Sequence, residues 1–388
     1  MKKVLFVIKN MNLGGPATSL LNMLEMLKEK GYTVDLFLME HTGIFMERAK
    51  KAANLLPEDK ALATLLCDVG RVKKDYGIRG LFYRGVFSFL KKKTGQKTLR
   101  NKVFEYCAKK LKGYDVTAVY QENISTDFAK FIPSPEKVAW VHTIYERFTK
   151  NYTDDEVYNI YKDFDEIICV IGAGAEAFKK GQPKLSDRVR VINNPLNAED
   201  IMRKGKEEAS LSDCFKIVSI GRLSAEKQYE YCIEAAERLK NDGHSFKWYI
   251  IGEGQERQKL ERLVKDGGLA DFVELKGAMA NPYSILAKCD LLVISSAYEA
   301  QPMVANEAFI SGVPVVSTSF DSAYEFIKDG QNGLICNNSS VALYEAIGKL
   351  MSDKELMERI KSHAKAFEYD NNLILRQTIK VLYGEENE

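Results

Sequence analysis

Short apolar runs bounded by turn residues recur along the chain. In the first half they are Val4–Ile8, Thr33–Met39, Val116–Tyr120, Val138–Val141, Ile167–Ile171 and Val189–Ile192. Runs without polar alternation predict strands covered on both faces, as in parallel sheets. Between the first two, Gly14-Gly15-Pro16 predicts a sharp loop. Thr18 then opens an amphipathic helix that reaches about Lys30 and stops at Gly31. The second half keeps the same rhythm more cleanly. Strands are predicted at Lys216–Ile220, Lys247–Ile251, Phe272–Leu275, Leu291–Ile294, Val315–Ser317 and Leu334–Cys336. Helices are predicted at Tyr229–Asn241, Glu256–Asp266, Pro282–Lys288 and Met303–Ser311. Strand–helix alternation with short connections predicts an α/β chain of two Rossmann-like domains with a cleft between them. The turn-rich Asn193-Asn194-Pro195-Leu196-Asn197 marks the linker, giving domains 1–195 and 196–371, with a last amphipathic helix over about Asn372–Gly384.

Length agrees with two cores, since 388 residues exceed what one core ordinarily organises. The composition, 45% hydrophobic and 28% charged, is that of a soluble globular protein, and no apolar run reaches the 18 residues of a membrane span. Met1-Lys2-Lys3 followed by Val4–Ile8 has the opening of a signal peptide. However, Lys9-Asn10 ends the run and no small-residue cleavage site follows. The seven cysteines (Cys67, Cys107, Cys169, Cys214, Cys232, Cys289, Cys336) are odd in number and widely spaced, which predicts reduced thiols in the cytosol and neither a disulfide framework nor a zinc site. The four histidines add no metal-binding pair. No metal or resident cofactor is expected.

Charge changes the picture locally. The overall net charge is +2, but residues 71–112 hold fourteen Lys or Arg against Asp75 and Glu105. That segment is +12 and the remainder of the chain is −10. Leu81, Phe82, Tyr83, Val86, Phe87, Phe89 and Leu90 are interleaved with the cations. A basic stretch bearing aromatic residues predicts contact with an anionic membrane surface. A solvated helical face with snorkelling lysines is the plainer reading, and nucleic acid, the third possible partner, is not expected.

Candidate chemistry gathers at strand ends of the second half, where open α/β sheets bind ligands. Ser219-Ile220-Gly221-Arg222-Leu223-Ser224-Ala225-Glu226-Lys227 ends one strand with two cations. Ser295-Ser296-Ala297-Tyr298-Glu299 ends another. Pro302 suits the first turn of the next helix, whose free amides and positive dipole end favour a phosphate. Seven residues separate Glu299 from Glu307, so one carboxylate falls in the loop and the other about one turn into the helix. Taken singly, an Arg–Lys pair in a loop is surface charge, and a carboxylate near a helix start complements the macrodipole. At successive strand ends of one domain they describe a site for a nucleotide sugar, with acceptors for hydroxyls and a cradle for phosphates.

Over nearly the whole chain, and most strongly over residues 216–336, the sequence resembles the retaining glycosyltransferases of family 4, which have the GT-B fold: two Rossmann-like domains facing each other across a cleft. The matching pieces are Gly221-Arg222-Leu223-x3-Lys227, Ile250-Ile251-Gly252-Glu253-Gly254, Val273-x3-Gly277, Asp290-Leu291-x3-Ser295, Glu299-x7-Glu307, Gly312-Val313-Pro314-Val315-Val316 and Asp329-Gly330-x-Asn332-Gly333. The resemblance implies a C-terminal domain that binds the nucleotide sugar, with Gly221, Gly252 and Gly277 among its donor-binding residues. Arg222 and Lys227 would hold the donor diphosphate, Glu307 the ribose hydroxyls, and Glu299 the donor sugar. The backbone of Gln301, Pro302, Met303 and Val304 would meet sugar and phosphate oxygens. In the N-terminal, acceptor-binding domain, Gly14 and Gly15 would form the glycine loop near the diphosphate, and His142 would line the sugar pocket. With Glu299, Arg222 and Lys227, His142 completes the candidate catalytic set. The segment 372–388 would pack back on the N-terminal domain. The chain departs from the family at Ala300, where Gly is common, at Asp321-Ser322-Ala323-Tyr324-Glu325, and at Val170-Ile171-Gly172.

The activity so implied is metal-independent transfer of a hexosyl unit, with retention, from a UDP-sugar to a lipid-linked or cell-surface glycan at the inner face of a bacterial membrane. A UDP-sugar epimerase of similar fold and an inactive nucleotide-sugar-binding subunit are the alternatives. Two lookalikes are set aside. Gly252-Glu253-Gly254-Gln255-Glu256-Arg257 lacks the third glycine of a dinucleotide fingerprint, and Asp163-Phe164-Asp165 precedes a strand instead of ending one.

Overall fold

A computed structural model describes residues 1–12, 14–122, 124–150 and 152–385. It divides into two units, one of Met1–Pro195 with Asn371–Glu388 and one of Leu196–Asp370. The last three positions of the expected C-terminal segment, 386–388, lie outside the described residues.

The first unit is built on a seven-stranded sheet. Its strands are β1 (Val4–Ile8), β2 (Val34–Leu38), β3 (Asn54–Leu55), β4 (Val116–Val119), β5 (Glu136–Val141), β6 (Glu166–Cys169) and β7 (Val189–Val191). Every pairing is parallel, in the order β3-β2-β1-β4-β5-β6-β7. All five residues of β1 are buried, as a doubly covered strand requires. On one face Leu5 and Val7 join Val119, Ala139, Val141 and Ile167 in the core. On the other, Phe6 packs its ring 6.0 Å from Tyr120 and 6.2 Å from Trp140. The two-residue edge strand β3 has no apolar run and was not predicted. The helix after β1 spans Gly15–Glu29, so it begins three residues before the expected Thr18, with Pro16 in its first turn and Gly14 at its N-cap.

The basic insert is helical throughout most of its length. A helix Val69–Thr94 starts at the side-chain cap of Asp68, which accepts the Arg71 amide at 2.9 Å, and Gly95 joins it to a second helix Gln96–Ala108. The first helix is kinked at Gly77, whose φ of +61° a side chain would disfavour. Inner residues of the insert belong to the core: Leu99, Val103 and Phe104 are buried in it, and Phe87 and Leu90 pack against it. The chain returns to this unit at its end. The helix Asn371–Tyr383 buries Ile374, Leu375, Ile379 and Leu382, and the Tyr383 ring lies 4.4 Å from Tyr32.

The second unit has six parallel strands: β8 (Phe215–Ile220), β9 (Phe246–Ile251), β10 (Val273–Gly277), β11 (Leu291–Ile294), β12 (Val315–Thr318) and β13 (Gly333–Cys336). Their order is β10-β9-β8-β11-β12-β13. The order reverses at β8, which pairs with both β9 and β11. At such a switch point the connections leave the sheet in opposite directions and open a crevice at the carboxyl ends. Two further helices, Ser340–Ser352 and Lys354–Lys365, follow β13 and bury Leu343, Ile347 and Ile360 against the sheet.

Candidate active site in the second unit

The loops that follow β8 and β11 meet at this switch point. Ser295 donates to the Lys227 carbonyl at 2.6 Å, and the Ala297 amide donates to the Glu226 carbonyl at 2.9 Å. The end of β12 and the loop after it join them, since Thr318 donates to the Ser296 carbonyl at 2.7 Å and Ser322 to the Glu299 carbonyl at 2.9 Å. These bonds fix the backbone of Glu299, and its side chain is fixed as well. Glu299 Oε1 accepts from the Lys227 ammonium and from Ser296 Oγ, the latter at 2.7 Å. Its Oε2 makes no hydrogen bond among the described residues, and the side chain is 15% exposed. An ammonium carries three donors, so Lys227 keeps capacity for a second anion while holding Glu299. Tyr229, Val293 and Val304 line the recess beside this pair.

Glu307 sits in the second turn of the helix Met303–Ile310, and Glu299 lies in the loop before it, as the spacing predicted. Glu307 Oε1 accepts from the Tyr283 hydroxyl at 3.1 Å. Burial pushes its pKa up to about 7, against the opposing effect of that hydrogen bond. The residue as a whole is half-buried, in a protein-lined niche.

The helix start offers fewer amides than expected. Pro302 is the N-cap, one position earlier than its predicted first-turn place. The Met303 amide donates to the Gln301 carbonyl at 2.8 Å and the Ala305 amide to the Pro302 carbonyl at 2.9 Å. Among the described residues the Val304 amide is the first-turn donor left without a backbone acceptor. The Gln301 side chain is engaged too, donating to the Tyr369 hydroxyl at 3.0 Å.

The glycines of the second unit have a steric role. The Leu223 amide donates to the Glu253 carbonyl at 2.9 Å, the Gly221 amide to Ile251 at 3.0 Å and the Gly252 amide to Gly277 at 2.9 Å. A Cβ on Gly252 would lie 1.8 Å from the Gly221 carbonyl oxygen, and one on Gly254 2.1 Å from that of Leu223. The loops after β8 and β9 therefore interlock backbone to backbone. Arg222 is exposed on the first of them and forms no ion pair among the described residues.

In the first unit, Gly14 and Gly15 open the helix after β1. His142 follows β5, with its side chain 5% exposed. Its Nε2 lies 3.1 Å from Asn194 Oδ1, which also accepts from Ser19 Oγ at 2.6 Å. An oxygen accepting from both makes Nε2 the protonated ring nitrogen. The His142 amide donates to Glu122 at 3.2 Å, and Nδ1 is 3.9 Å from the same carboxyl. Burial lowers the His142 pKa to about 4 and raises that of Glu122. The imidazole is thus neutral and held inside the unit.

Sequence reasoning named Glu299, Lys227, Glu307 and His142, and quoted Ser296 within the same strand end as Glu299, but it missed three partners. Tyr283 opens a short helix, Glu122 follows β4, and Asn194, which follows β7, was read only as a turn residue. Asp165 of the rejected Asp-x-Asp accepts the Lys137 amide at 2.8 Å, a backbone-capping role.

Residues 202–367 match the family Glycosyl transferases group 1. Among curated proteins, the chain is 31% identical over 201 residues to the Campylobacter jejuni N-acetylgalactosamine-N,N'-diacetylbacillosaminyl-diphospho-undecaprenol 4-alpha-N-acetylgalactosaminyltransferase, which covers 51% of this chain and 54% of that protein. It is 33% identical over 155 residues to the Staphylococcus aureus poly(ribitol-phosphate) alpha-N-acetylglucosaminyltransferase, covering 39% of this chain and 31% of that one. The chain spans about half the length of the first curated relatives it matches. Among solved structures, Anabaena HepE in complex with UDP-glucose superimposes with a TM-score of 0.75 at 18% identity, covering 99% of this chain and 100% of that one. At that identity the likeness establishes the fold, which is GT-B.

Proposed function

From the match of residues 202–367 to the group 1 glycosyl transferases, we propose that this protein transfers a hexosyl unit from a UDP-sugar to a lipid-linked or cell-surface glycan. The observation that carries the reading is the cluster at the switch point of the second sheet: Lys227 and Ser296 on Glu299 Oε1, with Glu307 in its niche on the following helix. The relatives named for undecaprenol-linked and poly(ribitol-phosphate) acceptors, and the HepE complex with UDP-glucose, support the choice of acceptor and donor classes.

Each group has a role that its surroundings suit. Glu299 Oε2 accepts a hydroxyl of the donor sugar, because Oε1 is already filled. Lys227 turns its remaining donors to the diphosphate, with Arg222 arriving from the same loop and the Val304 amide from the helix start. As the glycosidic bond breaks, the leaving diphosphate gains negative charge, and these fixed cations stabilise it without a metal or other cofactor. Glu307 Oε2 accepts the ribose hydroxyls. The acceptor hydroxyl attacks the face the leaving group departs from and passes its proton to the leaving phosphate, which retains the anomeric configuration. The work is done at the inner face of a membrane, on the cytoplasmic side.

The test incubates the pure protein with a panel of UDP-sugars, with and without a membrane extract. UDP release that depends on the extract is expected for at least one donor, and Glu299→Ala lowers it at least about tenfold, the worth of a charge-assisted hydrogen bond. Release that ignores the extract, or a Glu299→Ala enzyme with undiminished turnover, defeats the proposal.

A further inference from the structure

The basic insert is only half used by the fold. The inner side of the helix Val69–Thr94 is anchored: Phe87 and Leu90 pack on the core, and Val72 is buried with Ala63 and Cys67, with Leu81 packed against that cluster. Arg84 donates to the Thr64 carbonyl at 2.8 Å and also to that of Cys67, which satisfies the carboxyl end of the helix Lys60–Leu66. The outer side is therefore held outward and is not a loose segment awaiting collapse. On it stand Ile78 (86% exposed), Phe82 (68%), Val86 (37%) and Phe89 (68%), beside Tyr83 (58%). At 100° per residue, Ile78, Phe82, Val86 and Phe89 fall within an arc of about 80° along a rod of about 25 Å beyond the Gly77 kink.

The charge around this stripe has one sign. No Asp or Glu occurs between Tyr76 and Phe104. Lys73, Lys74, Arg79, Lys91, Lys92 and Lys93 are exposed and form no ion pair among the described residues, whereas Arg71 and Lys97 do. Beyond the Gly77 kink, Arg79, Lys92 and Lys93 fall beside or within the arc of the stripe, Lys91 falls opposite it, and Lys73 and Lys74 precede the kink. An apolar stripe flanked by cations calls for a partner that is apolar inside and anionic at its rim.

We propose that this face seats the protein on an anionic lipid bilayer, with Ile78, Phe82, Val86 and Phe89 entering the headgroup–acyl boundary and the flanking cations meeting lipid phosphates. A bilayer satisfies both halves of the surface. A nucleic acid would neutralise the cations and leave the stripe in water, and a second copy of the same face would oppose cation to cation. The proposal deepens the transferase reading by naming where a lipid-linked acceptor is met. It stands on geometry that does not depend on that reading.

The experiment uses the full chain and vesicles of phosphatidylcholine alone or mixed with phosphatidylglycerol, read by co-sedimentation across a salt series. Binding is expected to the mixed vesicles, to weaken with salt, and to fall about tenfold or more in Phe82→Ser/Phe89→Ser and in Lys91→Ala/Lys92→Ala/Lys93→Ala. These side chains are exposed, so both variants should keep the wild-type melting temperature and its upward shift on adding UDP. That shift reports the donor site and separates failure of the surface from failure of the transferase reading. Equal binding to neutral vesicles, no binding to either, or indifference to both variants overturns the proposal. So does a dimer in sedimentation velocity that Phe82→Ser/Phe89→Ser abolishes, or salt-sensitive binding to an RNA homopolymer in a protein that ignores the vesicles.

Discussion

Glu307 is held close to neutrality by burial, yet the role proposed for it requires the ionised form, so proton and nucleotide compete. Its pKa rises from 4.5 to about 7, so the folded state binds the proton more tightly than the unfolded chain. The stability this brings is complete below 4.5 and is lost as pH rises through 7. The loss is at most about 3 kcal/mol, and less because the residue is only half-buried. Glu307→Gln should abolish that slope in urea unfolding measured across the same range. UDP binding by the wild type should strengthen with pH, by up to about tenfold per unit below 7, and level off above it. A pH-independent UDP affinity in titration calorimetry would show that the ribose does not use the ionised carboxylate. His142 has the opposite sign: burial penalises its charged form, so its share of stability is lost only as pH falls from 6.5 toward 4. The residues that carry charge in this site were legible because charged groups at strand ends are conspicuous in sequence. Tyr283 and Asn194 were not, because a hydroxyl or amide acquires its role only when distant segments are brought together, and Glu122 was not, because its carboxylate gains a role only once His142 lies against it.

At the scale of elements, the interlocked loops after β8 and β9 determine where Lys227 and Arg222 stand. Gly252 combines a φ of +152° with a Cβ position 1.8 Å from a carbonyl oxygen, and the obstructing atom is backbone, which cannot swing aside. Gly252→Ala should therefore cost about 2 kcal/mol or more. Any folded fraction should have lost the thermal shift with UDP, whereas a variant that keeps both melting temperature and shift would show that the loops tolerate separation. Strands were the most legible elements: β1, with five of five residues buried, matches its apolar run at both ends. Failures have physical causes. The edge strand Asn54–Leu55 is two residues with no apolar run, set by pairing with β2. The helices Ser340–Ser352 and Lys354–Lys365 follow β13 with a strand-like rhythm no longer present to announce them. In the insert, composition showed cations and aromatics together, but only the packing of Phe87 and Leu90 against the core shows that Phe82 and Phe89 face outward.

For the whole molecule, the first unit is assembled from two stretches separated by the entire second unit. The helix Asn371–Tyr383 contributes Ile374, Leu375, Ile379 and Leu382 as buried side chains, each worth about 1.5–3 kcal/mol on full burial. Removing residues 371–388 should destabilise the first unit by several kcal/mol and leave the second folded. Amide exchange would then accelerate in β1 and the helix Gly15–Glu29 and remain slow in β8 and β9. Uniform exchange in both units would contradict this. The same arrangement orders events on the ribosome. The first sheet is translated early, but the helix that completes it emerges only after the 175 residues of Leu196–Asp370. The nascent first unit must therefore wait with part of its apolar surface uncovered, and its neighbour has the chance to fold before it.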